Sequence, residues 1–207
     1  MRRSRGWLGA GVVLAVVTAA GCTRENASPP PVAGQETSTA LDPCSGNGIL
    51  TPGGIGAVKI GARMRDVATA CRTTDTTVSL GEGMKERAHV VTIGASTVLA
   101  ISTGTPDTSI TRVIVRDSSY RTDRGIGIGS TVADLRRVYG RVCATFGERG
   151  VVVAVDALPG LAFETGLAPA DVPGGVRALE GDASLVPDSA RLTGAWATDG
   201  PSLCGGS

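Results

Sequence analysis

The pattern of apolar and polar positions divides the chain into three stretches. An apolar run from Trp7 to Ala20 follows the basic opening Met1-Arg2-Arg3-Ser4-Arg5 and ends at Ala19-Ala20-Gly21-Cys22. From residue 23 to residue 43 there is no hydrophobic period, and Ser28-Pro29-Pro30-Pro31 sits at its centre. Beyond it the pattern alternates between helical and strand spacing. Met64, Val67, Ala68 and Cys71 fall on one helical face, as do Val132, Leu135, Val138 and Tyr139. The runs Ala88–Ile93, Thr97–Ile101, Ile110–Val115, Val151–Ala157, Leu161–Glu164 and Ala190–Ala197 carry the β-branched, turn-bounded signature of strands. Pro159-Gly160 reads as a hairpin turn, and 168–188, rich in Pro, Gly and acid, reads as a long loop.

The two helical stretches open alike. Val58-Lys59-Ile60-Gly61-Ala62-Arg63-Met64-Arg65-Asp66-Val67 aligns with Ile126-Gly127-Ile128-Gly129-Ser130-Thr131-Val132-Ala133-Asp134-Leu135. Recurrence at a fixed offset marks a repeated supersecondary unit. In the second copy Thr131 can accept from the free amides of the first turn, and Asp134 stands where a reciprocal capping carboxylate belongs. Gly140 ends that helix. Arg63 replaces the capping Thr in the first copy, so its start is weaker. The expected fold class is therefore α+β. Two tandem repeats, 44–120 and 121–207, would each place a short helix or two before a short antiparallel sheet.

The string Gly129-Ser130-Thr131-Val132-Ala133-Asp134-Leu135, closing on Tyr139-Gly140, resembles the helix signature of the SmpA/OmlA (BamE)-type assembly lipoproteins. It is also similar to the tandem unit of the β-lactamase inhibitory proteins. That resemblance implies a helix-plus-sheet unit and a role in binding other proteins.

The first stretch has the layout of an export signal: a basic start, a short apolar run, then small residues before a cut. It is shorter than the roughly 20 apolar residues that span a bilayer. Its end resembles a lipobox, which implies a signal peptide over 1–21, lipidation of Cys22 and a tether over 22–43. Multiple acylation would satisfy the need for more than one chain in stable anchoring. The proline-rich part of the tether should be extended and stiff. The expected location is the cell envelope, at the periplasmic face of the outer membrane if the organism is diderm, since Thr23 is not the Asp that favours inner-membrane retention.

Charge then narrows the partners. The chain carries 20 basic and 19 acidic residues, and loss of Arg2, Arg3 and Arg5 would leave 17 against 19. No basic excess exists to neutralise phosphates, so nucleic acid is not an expected partner. With Cys22 lipidated, Cys44, Cys71, Cys143 and Cys204 remain. An even number in an oxidising compartment reads as disulfides with three connectivities. Cys44–Cys71 and Cys143–Cys204 are favoured because each would staple one half of the chain. The spacing does not suit a zinc site, and no metal or cofactor is expected.

Catalytic chemistry is faintly marked. Gly125-Ile126-Gly127-Ile128-Gly129-Ser130 lacks the third glycine and the parallel surroundings of a dinucleotide loop, so its glycines read as turn and packing positions. His89 is the single histidine. Asp156 and Glu164 read as a solvated sheet face, and Arg112, Arg116, Arg121 and Arg124, interleaved with Asp117 and Asp123, as a salt-bridged surface. The expected function is a membrane-anchored, non-catalytic protein-binding or scaffold module with an envelope protein as partner. Two alternatives stand beside it. A small envelope hydrolase would need His89 within hydrogen-bond reach of a Ser or Cys and an acid. A small-ligand-binding lipoprotein would need a sizeable apolar cavity.

Overall fold

The structure, a computed structural model, describes residues 44–45, 48–79, 83–102, 109–174, 179, 183–200 and 202–204. All of them belong to one compact unit, Ala40–Ser207. The expectations for the signal, Cys22 and the tether lie outside the described residues.

A small ladder opens the described chain, β1 (Gly54–Ile55) paired antiparallel with β2 (Val58–Lys59). Helix α1 (Met64–Ala70) follows, then β3 (Thr73–Ser79), β4 (Lys85–Ile93), β5 (Ser96–Ser102) and β6 (Ile110–Val115). Helix α2 (Val132–Tyr139) precedes β7 (Val142–Gly147), β8 (Gly150–Val155), β9 (Leu161–Glu164) and β10 (Gly194–Thr198). Strands β3 to β10 form one antiparallel sheet in the order β3-β4-β5-β6-β10-β9-β8-β7.

That sheet overturns the α+β expectation. The sequence pattern predicts two separate short sheets, each with its own helix; instead β6 pairs with β10 from Arg112↔Thr198 to Val115↔Ala195, and the strands merge into a single eight-stranded sheet. The fold is mostly antiparallel β, with α-helices of only seven and eight residues. The reason lies in what the central strands bury. Val113 and Val115 of β6 and Ala195 and Ala197 of β10 are inaccessible to solvent. These small apolar side chains let the strands share one core, and an edge at either strand would leave ladder amides unpaired.

The helices lie on one face of the sheet. Met64 and Val67 of α1 and Val132 and Leu135 of α2 join Val91, Val98, Ala100, Phe163, Val151 and Val153 in the core. Full burial of such side chains contributes about 1.5–3 kcal/mol each. Helix α2 starts as its sequence dictates. The Asp134 amide donates to Thr131 Oγ1 at 3.1 Å, and the Thr131 amide donates to an Asp134 carboxylate oxygen at 3.0 Å. Gly140 closes it with φ +82°, a conformation that favours glycine. Helix α1 has no side-chain cap at Arg63.

Disulfides join Cys44 to Cys71 and Cys143 to Cys204, the pairs favoured from the sequence. They act on opposite faces. Cys44 and Cys71 pack against the helix-side core. Cys143 lies on the other face, where Cys204 packs beside Val152, Ala154, Ala162 and Trp196. The second bridge therefore draws the C-terminal segment across the side of the sheet opposite α1 and α2.

Candidate functional site

The face opposite α1 and α2 carries the candidate site. Strand alternation fixes which side chains reach it. Register sets Leu99 opposite Ile114, Ile114 opposite Trp196, and Trp196 opposite Ala162. These residues form an apolar row across the middle of the sheet. The face is concave, because Val78 and Ser79 of the edge strand β3 and Thr145, Phe146 and Gly147 of the other edge strand, β7, line one cleft. Its volume is about 210 Å³, and Leu203 of the disulfide-held C-terminal segment forms part of its wall.

Charges are set into this surface in pairs. Arg112 Nη1 donates to Glu148 at 3.3 Å, and its guanidinium lies 5.4 Å from the centroid of the Trp196 ring. Stacking of this kind is attractive and keeps an aromatic surface fixed. Arg116 donates through both terminal nitrogens to the Glu164 carboxylate, with Nη2 to Oε1 at 2.8 Å. Arg149, at the tip of the β7–β8 hairpin, lines the same cleft and is exposed. Three arginines and two glutamates thus surround an apolar floor.

This placement corrects two sequence expectations. Arg112 and Arg116 pair with distant Glu148 and Glu164 rather than with the interleaved Asp117 and Asp123, because strand alternation turns them into the cleft. Arg121 and Arg124 lie elsewhere, in the loop before α2. There Arg121 donates to the Gly125 carbonyl at 3.0 Å and Arg124 to the Val138 carbonyl at 3.2 Å. Glu164 is not on a solvated face, since its side chain is only 14% exposed and is held by Arg116. Asp156 is separate from it, exposed in the turn after β8.

The glycine segment before α2 serves packing. A Cβ at Gly127 would stand 2.5 Å from the Tyr120 carbonyl oxygen, so the close approach of the chain there needs glycine. Cys143, Asp156 and Cys204 bring possible metal-ligand atoms within 4.8 Å of one another. Both sulfurs are consumed in a disulfide, which leaves no thiolate to bind a metal.

The sequence did not single out a Ser-His-Asp row, and the structure contains one. His89 Nδ1 lies 2.8 Å from Asp75 Oδ1, and Nε2 lies 3.4 Å from Ser102 Oγ. Asp75 stands directly opposite His89 across β3 and β4, while Ser102 is its diagonal neighbour on β5. The residue types and contacts match a hydrolase triad, but the order of exposure is reversed. A triad buries the acid that orients the histidine and presents the hydroxyl to substrate. Here the Asp75 side chain is 78% exposed, while Ser102 is 6% exposed. The row satisfies both ring nitrogens of a buried histidine and cross-links three strands.

Burial raises the Tyr120 and Tyr139 hydroxyls above their ordinary range, in each case chiefly through desolvation. Neither tyrosine lines the cleft. Asp117 is held below the carboxylate range, first by the Ser119 amide, then by the Ser96 and Ser119 hydroxyls. It fixes the turn after β6.

No family model matches the chain, and no curated protein matches it. Among solved structures, the chain is similar to the crystal structure of the uncharacterized protein yfeY from Escherichia coli. Identity is 16%, the TM-score is 0.45, and the match covers 72% of this chain and 99% of that one. That likeness is too distant to carry fold or function across.

Proposed function

We propose that the chain is an exported lipoprotein, anchored through Cys22, whose concave sheet face binds another envelope protein without catalysis. The cleft carries this reading. Its floor is built on strands, with turn residues at its rim, and it presents Trp196 held beneath Arg112 with apolar neighbours and charged rims. Tryptophan and arginine are the side chains that most often dominate protein interfaces.

Size favours a protein partner over an enclosed small molecule. Pockets that engulf small ligands typically measure about 300–1,000 Å³, and this cleft is smaller and open. It suits insertion of a few side chains from a partner's surface. The reversed exposure of Asp75 and Ser102 supports binding over hydrolysis.

Two measurements test the proposal. Labelling with a radioactive fatty acid should mark the chain and fail for Cys22→Ser. Pull-down from envelope extracts should return a partner with the unaltered chain and lose it with Trp196→Ala or Arg112→Ala. Capture of the same proteins by the unaltered and Trp196→Ala chains would remove the cleft from the function.

A further inference from the structure

The two edges of the sheet are finished differently. Val142, Cys143 and Ala144 of β7 are buried, and that strand packs against α2 and the turn at Ala183–Leu185. Among the described residues strand β3 has no such cover, and Thr74, Asp75, Thr77 and Ser79 are exposed. Its ladder with β4 runs without a shift from Thr73↔Val91 to Ser79↔Lys85. Thr73–Ser79 contains no lysine, no proline and no bulge, and Asp75 is its one charge, so few of the usual devices that block edge pairing are present.

The hydrogen-bonding phase of this edge follows from one contact. The Thr92 amide donates to the Arg72 carbonyl at 2.9 Å, one step beyond the Thr73↔Val91 pair. Bonded pairs alternate along an antiparallel ladder, so Thr74, Thr76 and Val78 face β4 with their backbone groups. Thr73, Asp75, Thr77 and Ser79 turn their amides and carbonyls outward. Among the described residues, none of these outward groups has a backbone partner.

We infer that β3 is a pairing edge for a second copy of this chain, joined antiparallel about a twofold axis at Thr76. In that register Thr73 meets Ser79 of the second copy and Asp75 meets Thr77, and each meeting joins two outward-facing residues. All the outward groups find partners, giving on the order of eight hydrogen bonds. An axis at Asp75 would set two carboxylates face to face, and one at Thr77 would leave Thr73 unpaired. The single charge of the strand thus selects the register that also makes the most bonds. Strand pairing alone buries less than the roughly 1,200 Å² of a standard interface, so the association is reversible and depends on concentration. It uses the edge of β3, whose end at Val78 and Ser79 also borders the cleft, and it does not require the binding role proposed above.

Cysteine trapping in the full chain tests the register. At the axis the two Thr76 positions form a non-hydrogen-bonded pair, with Cα atoms about 4.5 Å apart, within the range that a disulfide accepts. Thr76→Cys should cross-link to a dimer on non-reducing gels, well above the background of the unaltered chain. Thr74→Cys, which would face Val78 of the second copy, should not. Adding Thr77→Glu to Thr76→Cys should remove most of the cross-link by placing a second carboxylate against Asp75. Thr77 faces Arg87 within its own sheet, so the glutamate leaves folding intact, to be checked by circular dichroism. Equal cross-linking of the Thr74→Cys and Thr76→Cys chains, or none with Thr76→Cys, would overturn the inference.

Discussion

Arg116 reaches Glu164 by passing over Gly194, the residue between them on β10. The ladders place Gly194 opposite Glu164, and the β6–β10 register brings Arg116 to its other side. A Cβ at Gly194 would collide with the guanidinium. A missing side chain on the middle strand therefore allows an ion pair to bridge three strands across the seam of the sheet.

Breaking that bridge should weaken the seam. Glu164→Gln is expected to cost about 1–2 kcal/mol, within the range for hydrogen bonds to charged groups and reduced by the exposure of Arg116. Gly194→Ala should cost a similar amount by displacing Arg116. Because both remove one interaction, urea denaturation of the double variant should give less than the sum of the single effects. Full additivity would separate Gly194 from the ion pair.

The cap of α2 should impose an acid limit. The Arg137 guanidinium, followed by the Thr131 amide and hydroxyl, lowers the Asp134 carboxyl from 3.8 to about 2. A carboxyl lowered on folding stabilises the fold above its unfolded value, and that contribution is lost as pH falls through the folded one. The stability difference between the unaltered chain and Asp134→Asn should be constant well above pH 3.8 and shrink progressively as the pH falls through 3.8 and about 2. A difference independent of pH would remove the carboxylate from the cap.

The C-terminal disulfide should guard the cleft. Cys143 and Cys204 are 61 positions apart, and closing a loop of that size stabilises by about 4 kcal/mol in the chain-entropy account. Cys204→Ser should lower the melting temperature and free the segment that packs on Ala154, Ala162 and Trp196. Trp196 is the only tryptophan after Trp7, so its fluorescence should shift to the red. An unchanged spectrum would place the C-terminal segment away from the cleft.

The Asp75-His89-Ser102 row should behave as structure. Ser102→Ala is expected to cost about 1 kcal/mol and to leave ester hydrolysis at the level of the unaltered chain, measured with an activated phenyl ester. A large, specific loss of hydrolysis in that variant would reverse the assignment.

Local features were legible where local physics decides them. Ile110–Val115 and Leu161–Glu164 form strands over the ranges read from their β-branched runs. Strand β3 was missed because Thr73–Ser79, polar and half exposed, offers no apolar alternation. Strand β7 was missed because Val142–Gly147 follows directly on a helix stop. The cleft was not legible, since Arg112, Glu148, Trp196 and Leu203 are far apart in sequence. Its only early sign was an arginine cluster, which the chain splits between two places.

By itself the sequence determined the capped start and glycine stop of α2, most strand cores and the pairs of cysteines worth joining. Each depends on neighbours within a few residues or on a count. Tertiary structure decided that β6 and β10 fuse the strands into one sheet, and that Glu164 meets Arg116 rather than solvent. It also decided that the histidine row hides its serine. Those outcomes depend on which faces the alternating strands turn toward one another once distant segments share a core, and no local pattern encodes that choice.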